Sequence, residues 1–188
     1  AVLKKKMEAR TAMAAPVRAA ATTAALPAAF ERLFVREYPR VAGIAHRVLG
    51  DAAEAEDVAQ DVFASLYRSH DPEASYAPAW LYKAAAHTAL NVIRGRKRRE
   101  RRDAVAARQM ERVSDPEGEA IAAEERAQVR AALARLPERT ATLLVLRHSG
   151  LTYGEVAAAL GIGIDQVGTR LRRAQDAFKK EVLHDLAR

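Results

Sequence analysis

The chain has no cysteine at all, and that absence removes several functions at once. A disulfide framework, a thiolate metal site and a cysteine nucleophile are excluded, and a reducing, cytosolic compartment fits such a composition. Aromatic residues are scarce, at 5% of 188 residues. Alanine dominates, and apolar residues recur at spaced positions without strict alternation, which favours helices over strands throughout. No run of about 18 consecutive apolar residues occurs, so no membrane span is expected. The sequence predicts an all-α protein of one medium domain or two small ones.

The formal net charge is +7 and the pI about 10.0, which suits a polyanion such as nucleic acid and equally an anionic membrane surface. Three charge blocks divide the chain. The first is acidic and holds Asp51, Glu54, Glu56, Asp57 and Asp61. The second runs from Arg94 to Arg102 and is basic, and the third, Asp115 to Glu125, is acidic again. Pro116, Gly118 and weak apolar periodicity mark a linker there. At the N-terminus, Lys4, Lys5 and Lys6 precede an alanine-rich stretch that Arg10 and Arg18 interrupt, leaving no adequate signal-peptide core. Residues 1–25 are expected to be a flexible extension or an expression remnant, with Met7 as a candidate start.

Periodicity and breakers predict helices at 28–48, 52–69 and 77–96, then at 120–135, 138–148, 152–160 and 165–183. The clearest local signal is Thr152-Tyr153-Gly154-Glu155, a capping box opening a helix that turns Val156, Ala157 and Leu160 inward. Gly161 ends that helix and another follows within a few residues, the pattern of a helix-turn-helix. The second helix places Val167, Leu171, Ala174 and Phe178 on one apolar stripe. Gln166, Thr169, Arg170 and Arg173 then face outward, flanked by Arg172, Lys179 and Lys180. Amide and guanidinium groups so placed can read base edges in a major groove, while lysines and hydroxyls suit phosphates. A solvated face on an ordinary helical hairpin is the bland alternative; the coincidence of capping box, turn and stripe favours DNA.

In the second helix Val58, Val62, Phe63 and Leu66 form an apolar face, and Glu54, Asp57 and Asp61 lie together on another. Like charges at that spacing cost about a few tenths of a kcal/mol per pair, so the face suits either a basic protein partner or plain solubility. Catalysis at these carboxylates, for example through Mg²⁺, lacks support. All five carboxylates fall within one short segment, no phosphate loop or nucleophile and base pair accompanies them to complete a site, and the five histidines are scattered. Neither a metal nor a cofactor is expected. The third helix carries Trp80, Lys83, His87, Asn91, Arg94 and Arg98 along one side, with Tyr76 and Tyr82 nearby and Lys97 in the basic run. Stacking groups mixed with donors suit unpaired bases better than an intact duplex. Tyr82 reads more simply as core; for Trp80 both readings stay open.

The residues together resemble one family, the extracytoplasmic-function group of sigma-70-like sigma factors. LGDAAEAEDVAQDVFASLY is similar to its core-binding region, and APAWLYKAAAHTALNVIRGRKRR to the part that recognises and opens the −10 element. LPERTATLLVLRHSGLTYGEVAAALGIGIDQVGTRLRRAQDAF is similar to region four, which reads the −35 element. The resemblance implies a region 2 domain over 26–101, a linker over 102–119 and a region 4 domain over 120–188. It implies that Glu54, Asp57, Gln60, Asp61 and Phe63 meet the clamp helices of the polymerase's largest subunit, with a further contact to the flap. It implies −10 contacts from Tyr76, Trp80, Lys83, His87, Asn91, Arg94, Lys97 and Arg98. The −35 contacts would come from Gln166, Thr169, Arg170, Arg172, Arg173 and Lys179. Many relatives are held by an anti-sigma factor, so the resemblance leaves room for one here. His87 stands where the family usually has Asn, Asn91 where Asp is frequent, and Gly168 where Lys is usual, which bears on promoter preference and −35 grip. Two other readings compete: a dimeric helix-turn-helix repressor or activator, and a basic RNA- or membrane-surface binder. The first explains only the C-terminal part, the second only the charge.

Overall fold

The computed structural model describes residues 26–106 and 117–186, all of whose regular structure is helical. Seven helices follow in order: α1 (Ala28–Leu49), α2 (Ala52–Ser69), α3 (Ala77–Ala106), α4 (Glu117–Arg135), α5 (Glu138–His148), α6 (Tyr153–Leu160) and α7 (Ile164–Leu186). The expected N-terminal extension and the central part of the expected linker lie outside the described residues.

Local chemistry explains most of the boundaries. Gly50, at φ 73°, ends α1 in the left-handed conformation and returns its N–H to His46 O. One residue later Asp51 caps α2, its side chain accepting from Glu54 N at 2.9 Å. At α6 both halves of the capping box form, with Glu155 N donating to Thr152 Oγ1 and Thr152 N to Glu155 Oε2. Gly161, at φ 64°, terminates α6 and starts the short turn into α7. Pro39 sits inside α1, four residues after Val35, whose exposed position lets water replace the missing backbone donor. The third helix runs ten residues past its expected end at 96, through Ala106. Beyond Gly95 the segment through Ala106 contains no glycine or proline, and the helix propensity of its arginines, lysine, glutamate and alanines carries the helix on.

α1, α2 and α3 pack mutually around Leu33, Ile44, Val58, Phe63, Leu66, Leu81 and Leu90. Phe30, Phe34, Tyr38 and Phe63 form an aromatic cluster between α1 and α2, with Phe34 and Phe63 centroids 4.8 Å apart. In the C-terminal half α4, α5 and α6 each pack on α7, burying Leu146, Leu151, Val156, Val167, Leu171 and Ala174. The stripe predicted for α7 is thus its buried side. The two halves also touch, since α3 packs against α4, α5 and α6. An ion pair between Arg135 and Glu181, at 2.6 Å, ties α4 to α7.

Candidate nucleic-acid and protein interfaces

α2 presents its polar residues according to the pitch of the helix. Val58, Val62, Phe63 and Leu66 face the core, which leaves Asp57, Gln60 and Asp61 exposed, with Glu56 beside them. Two residues expected on this surface lie elsewhere. Phe63 is 2% exposed inside the aromatic cluster, so it holds α2 in place and offers no contact atom to a partner. Glu54 turns toward α3 and ion-pairs with Arg96, and its second oxygen is buried without a partner. First-turn geometry directs Glu54 to the neighbouring helix, and the basic run of α3 supplies its counter-charge.

The basic side of α3 is graded along its length. Near its start Tyr76 is half exposed, and the Trp80 ring packs at a tilt against His70 with centroids 4.3 Å apart. Trp80 therefore belongs partly to the core and partly to an aromatic ledge with Tyr76. Lys83, Asn91 and Arg98 are exposed. His87 sits 3.2 Å from Asn91 Nδ2 and 3.2 Å from Glu138 Oε1. Arg94 donates to Leu136 O at 3.0 Å and Ala134 O at 3.4 Å, and Lys97 to Ala131 O at 3.4 Å. Tyr82 is buried at 4% exposure, in agreement with its reading as core. Burial, then its hydrogen bond to Glu37, pushes the phenol up to about 12.

On α7 the face opposite the stripe carries Gln166, Thr169, Arg170, Arg172, Arg173 and Lys179, all exposed. Arg170 Nη2 donates to Gln166 Oε1 at 2.8 Å, one turn away, which aligns an amide and a guanidinium side by side. Gly168 is half-buried opposite Tyr153, where an added Cβ would meet Cε2 at an ordinary 3.7 Å. Among the described residues no group of three or more histidines or carboxylates could hold a metal ion. No described helix is long and apolar enough to cross a membrane.

Some residues with clear roles escaped the sequence reading. Asp51 caps α2, and its signal was present, since Asp51-Ala52-Ala53-Glu54 repeats the spacing seen at Thr152. The side chains of Arg40, Glu37 and Glu138 reach residues at least 42 positions away, with Glu37 also pairing to its neighbour Arg36, and nothing in local spacing marks these distant contacts.

The family model "Sigma-70 region 2" matches residues 33–99, spanning most of α1 to α3. "Sigma-70, region 4" matches residues 126–175, from α4 into α7. The RNA polymerase sigma-H factor of Pseudomonas aeruginosa is 32% identical over 166 residues, covering 81% of this chain and 85% of that protein. The ECF RNA polymerase sigma-E factor of Escherichia coli is 32% identical over 168 residues, covering 82% and 86%. Among solved structures, CnrH in its complex with the cytosolic domain of CnrY shares the fold, with a TM-score of 0.50 at 23% identity over 83% of this chain and 88% of that one. With both regions present in order and relatives aligned over most of its length, the chain belongs to the extracytoplasmic-function group of the sigma-70 family.

Proposed function

We propose that the chain carries out the sigma-factor function, promoter recognition and transcription initiation, by assigning three chemically distinct surfaces to three tasks. The exposed carboxylates Asp57 and Asp61, with Gln60, meet the clamp helices of core RNA polymerase in the cytoplasm. The α3 side from Tyr76 to Arg98 takes the unpaired −10 strand, whose bases stack on aromatic rings and arginine planes. The outer face of α7 reads the −35 duplex through Gln166 and Arg170, with Thr169, Arg172, Arg173 and Lys179 on the backbone. Residues 26–101 and 120–188 are then the two working domains, and 102–119 the tether between them. A groove of about 520 Å³, lined by Val129, Leu133, Leu144, Val145 and Phe178 with Arg47, His148 and Lys179 in its wall, suits an apolar segment of the polymerase flap.

One observation carries this reading: the acidic face, the stacking face and the amide and guanidinium face lie on separate helices, in the order of the two family regions. The chain performs no covalent chemistry in this scheme and needs no metal or cofactor. Binding unpaired bases favours the open promoter through differential affinity, and the polymerase makes the RNA.

Charge reversal at Asp57 and Asp61 tests the scheme. Asp57→Lys with Asp61→Lys should abolish capture of core polymerase in a pull-down while helix content by circular dichroism stays unchanged. Undiminished capture would place the polymerase contact elsewhere.

A further inference from the structure

The helix-turn-helix carries an apolar ledge that none of the three surfaces uses. Tyr153, at the first position of α6, and Ile164, at the first position of α7, are large hydrophobic side chains, yet they are 41% and 59% exposed. Two glycines keep the ledge open. A Cβ on Gly154 would meet Ile164 Cδ1 at 3.9 Å, so Ile164 lies over the start of α6. A Cβ on Gly168 would meet Tyr153 Cε2 at 3.7 Å, so the ring lies beside the second turn of α7. Arg147 is exposed with its guanidinium 5.7 Å from the Tyr153 ring centroid, and it borders the ledge with a cation suited to a phosphate.

Packing alone does not account for these features. The 3.7 Å contact is an ordinary one, so the fold would accept alanine at position 168, and glycine inside α7 forgoes helix propensity. Position along α7 gives the ledge its direction. Ile164, Gly168 and Arg172 follow at steps of four and form one row along the helix, beside the exposed Thr169 and Arg173. The ledge is therefore continuous with the face assigned to the −35 duplex, at the N-terminal end of α7, the end from which recognition helices touch base edges in the major groove. Of the edges displayed there, thymine alone carries an apolar group, its C5-methyl, while the others present the donors and acceptors that an apolar ledge cannot pair.

We infer that Ile164 and Tyr153, across the gap left by Gly168, form a slot for a thymine methyl group, which makes Ile164 a specificity-determining residue of −35 recognition. The inference rests on the sigma-factor reading for the identity of the duplex. Gln166 and Arg170 read hydrogen-bonding edges, and the slot adds a preference that depends on no hydrogen bond. Cytosine at that step leaves the slot unfilled, and a purine meets it with polar atoms that lose water without gaining a partner.

Deoxyuridine pairs as thymidine does but lacks the methyl, so it isolates the contact in the unaltered chain. The full chain, assembled with core polymerase, selects from randomised duplexes synthesised with thymidine in one library and deoxyuridine in the other. The thymidine selection should enrich an upstream element with thymine at one fixed position. The deoxyuridine selection should return the same element with the bias at that position about fourfold weaker, the worth of one methyl-sized group removed from water. Ile164→Ala should lose the same bias with thymidine and nothing further with deoxyuridine, because both changes remove one contact. Ile164→Val should keep most of it. Equal bias in both libraries, or undiminished bias in Ile164→Ala, would overturn the slot. Loss of polymerase capture by Ile164→Ala would assign the ledge to a protein partner and overturn it as well. No shared upstream element from either library would overturn the sigma-factor reading and the slot with it, whereas an element indifferent to the methyl removes the slot alone.

Discussion

At the scale of single residues, the electrostatics of Glu37, Arg40, Tyr82 and Glu155 give the most direct consequences. The hydrogen bond from Arg40, then those from Thr152, hold the Glu155 carboxyl below the usual 4.5 against the opposing effect of burial. A depressed folded value means that Glu155 contributes stability above about pH 4.5, and that the contribution is lost as pH falls through the lower folded value. Tyr82 behaves in the opposite sense. Its contribution is intact below pH 10, where an unfolded tyrosine begins to ionise, and disappears as pH rises through about 12. Ultraviolet titration of tyrosinate should therefore show one residue ionising last, near pH 12, and Tyr82→Phe should remove that phase. A uniform titration of all tyrosines near 10 would contradict the buried Tyr82–Glu37 hydrogen bond. On the DNA side, Arg170→Ala should weaken −35-dependent initiation by about 1–3 kcal/mol, the range for loss of a bidentate base contact. Unchanged promoter preference in a transcription assay would remove Arg170 from the reading face.

Elements were largely legible in the sequence because their ends are local events. Gly50, Gly150 and Gly161 stop helices in left-handed conformations, and Thr152 opens one through a reciprocal cap that can be seen in four letters. The apolar stripes of α2 and α7 were readable for the same reason, as each is a repeat of three and four residues. Where local signals were weak the reading fell short. The end of α3 was placed at the basic run, yet that run propagates the helix because arginine and lysine are good helix formers. Gly168 offers an element-scale test. The site accepts a Cβ against Tyr153 at 3.7 Å, so Gly168→Ala should stabilise the C-terminal domain by about 1 kcal/mol through helix propensity. For a domain of this size that gain corresponds to about 4–8 °C in a thermal melt. A fall in Tm would show that α7 uses the glycine for closer packing than the 3.7 Å contact indicates.

For the whole molecule, the division into two working parts followed from charge blocks, but their mutual contact did not. Arg40 and Glu155 are 115 positions apart, and no periodicity or motif relates them. The same holds for Glu54, which belongs to an acidic cluster by sequence and to Arg96 by space. Phe63 shows the limit from the other side: an aromatic residue on an acidic helix can serve equally as anchor for a partner or as core, and only the arrangement of Phe30, Phe34 and Tyr38 decides for the core. The central claim is that α2 recruits polymerase while α3 and α7 read two separated promoter elements. Mapping the transcript start sites that appear when the chain is overproduced tests it most directly. New start sites should be preceded by two shared sequence elements at near-constant separation, and should vanish when Asp57→Lys and Asp61→Lys are introduced. Absence of new start sites, or their persistence with that doubly reversed chain, would contradict the claim.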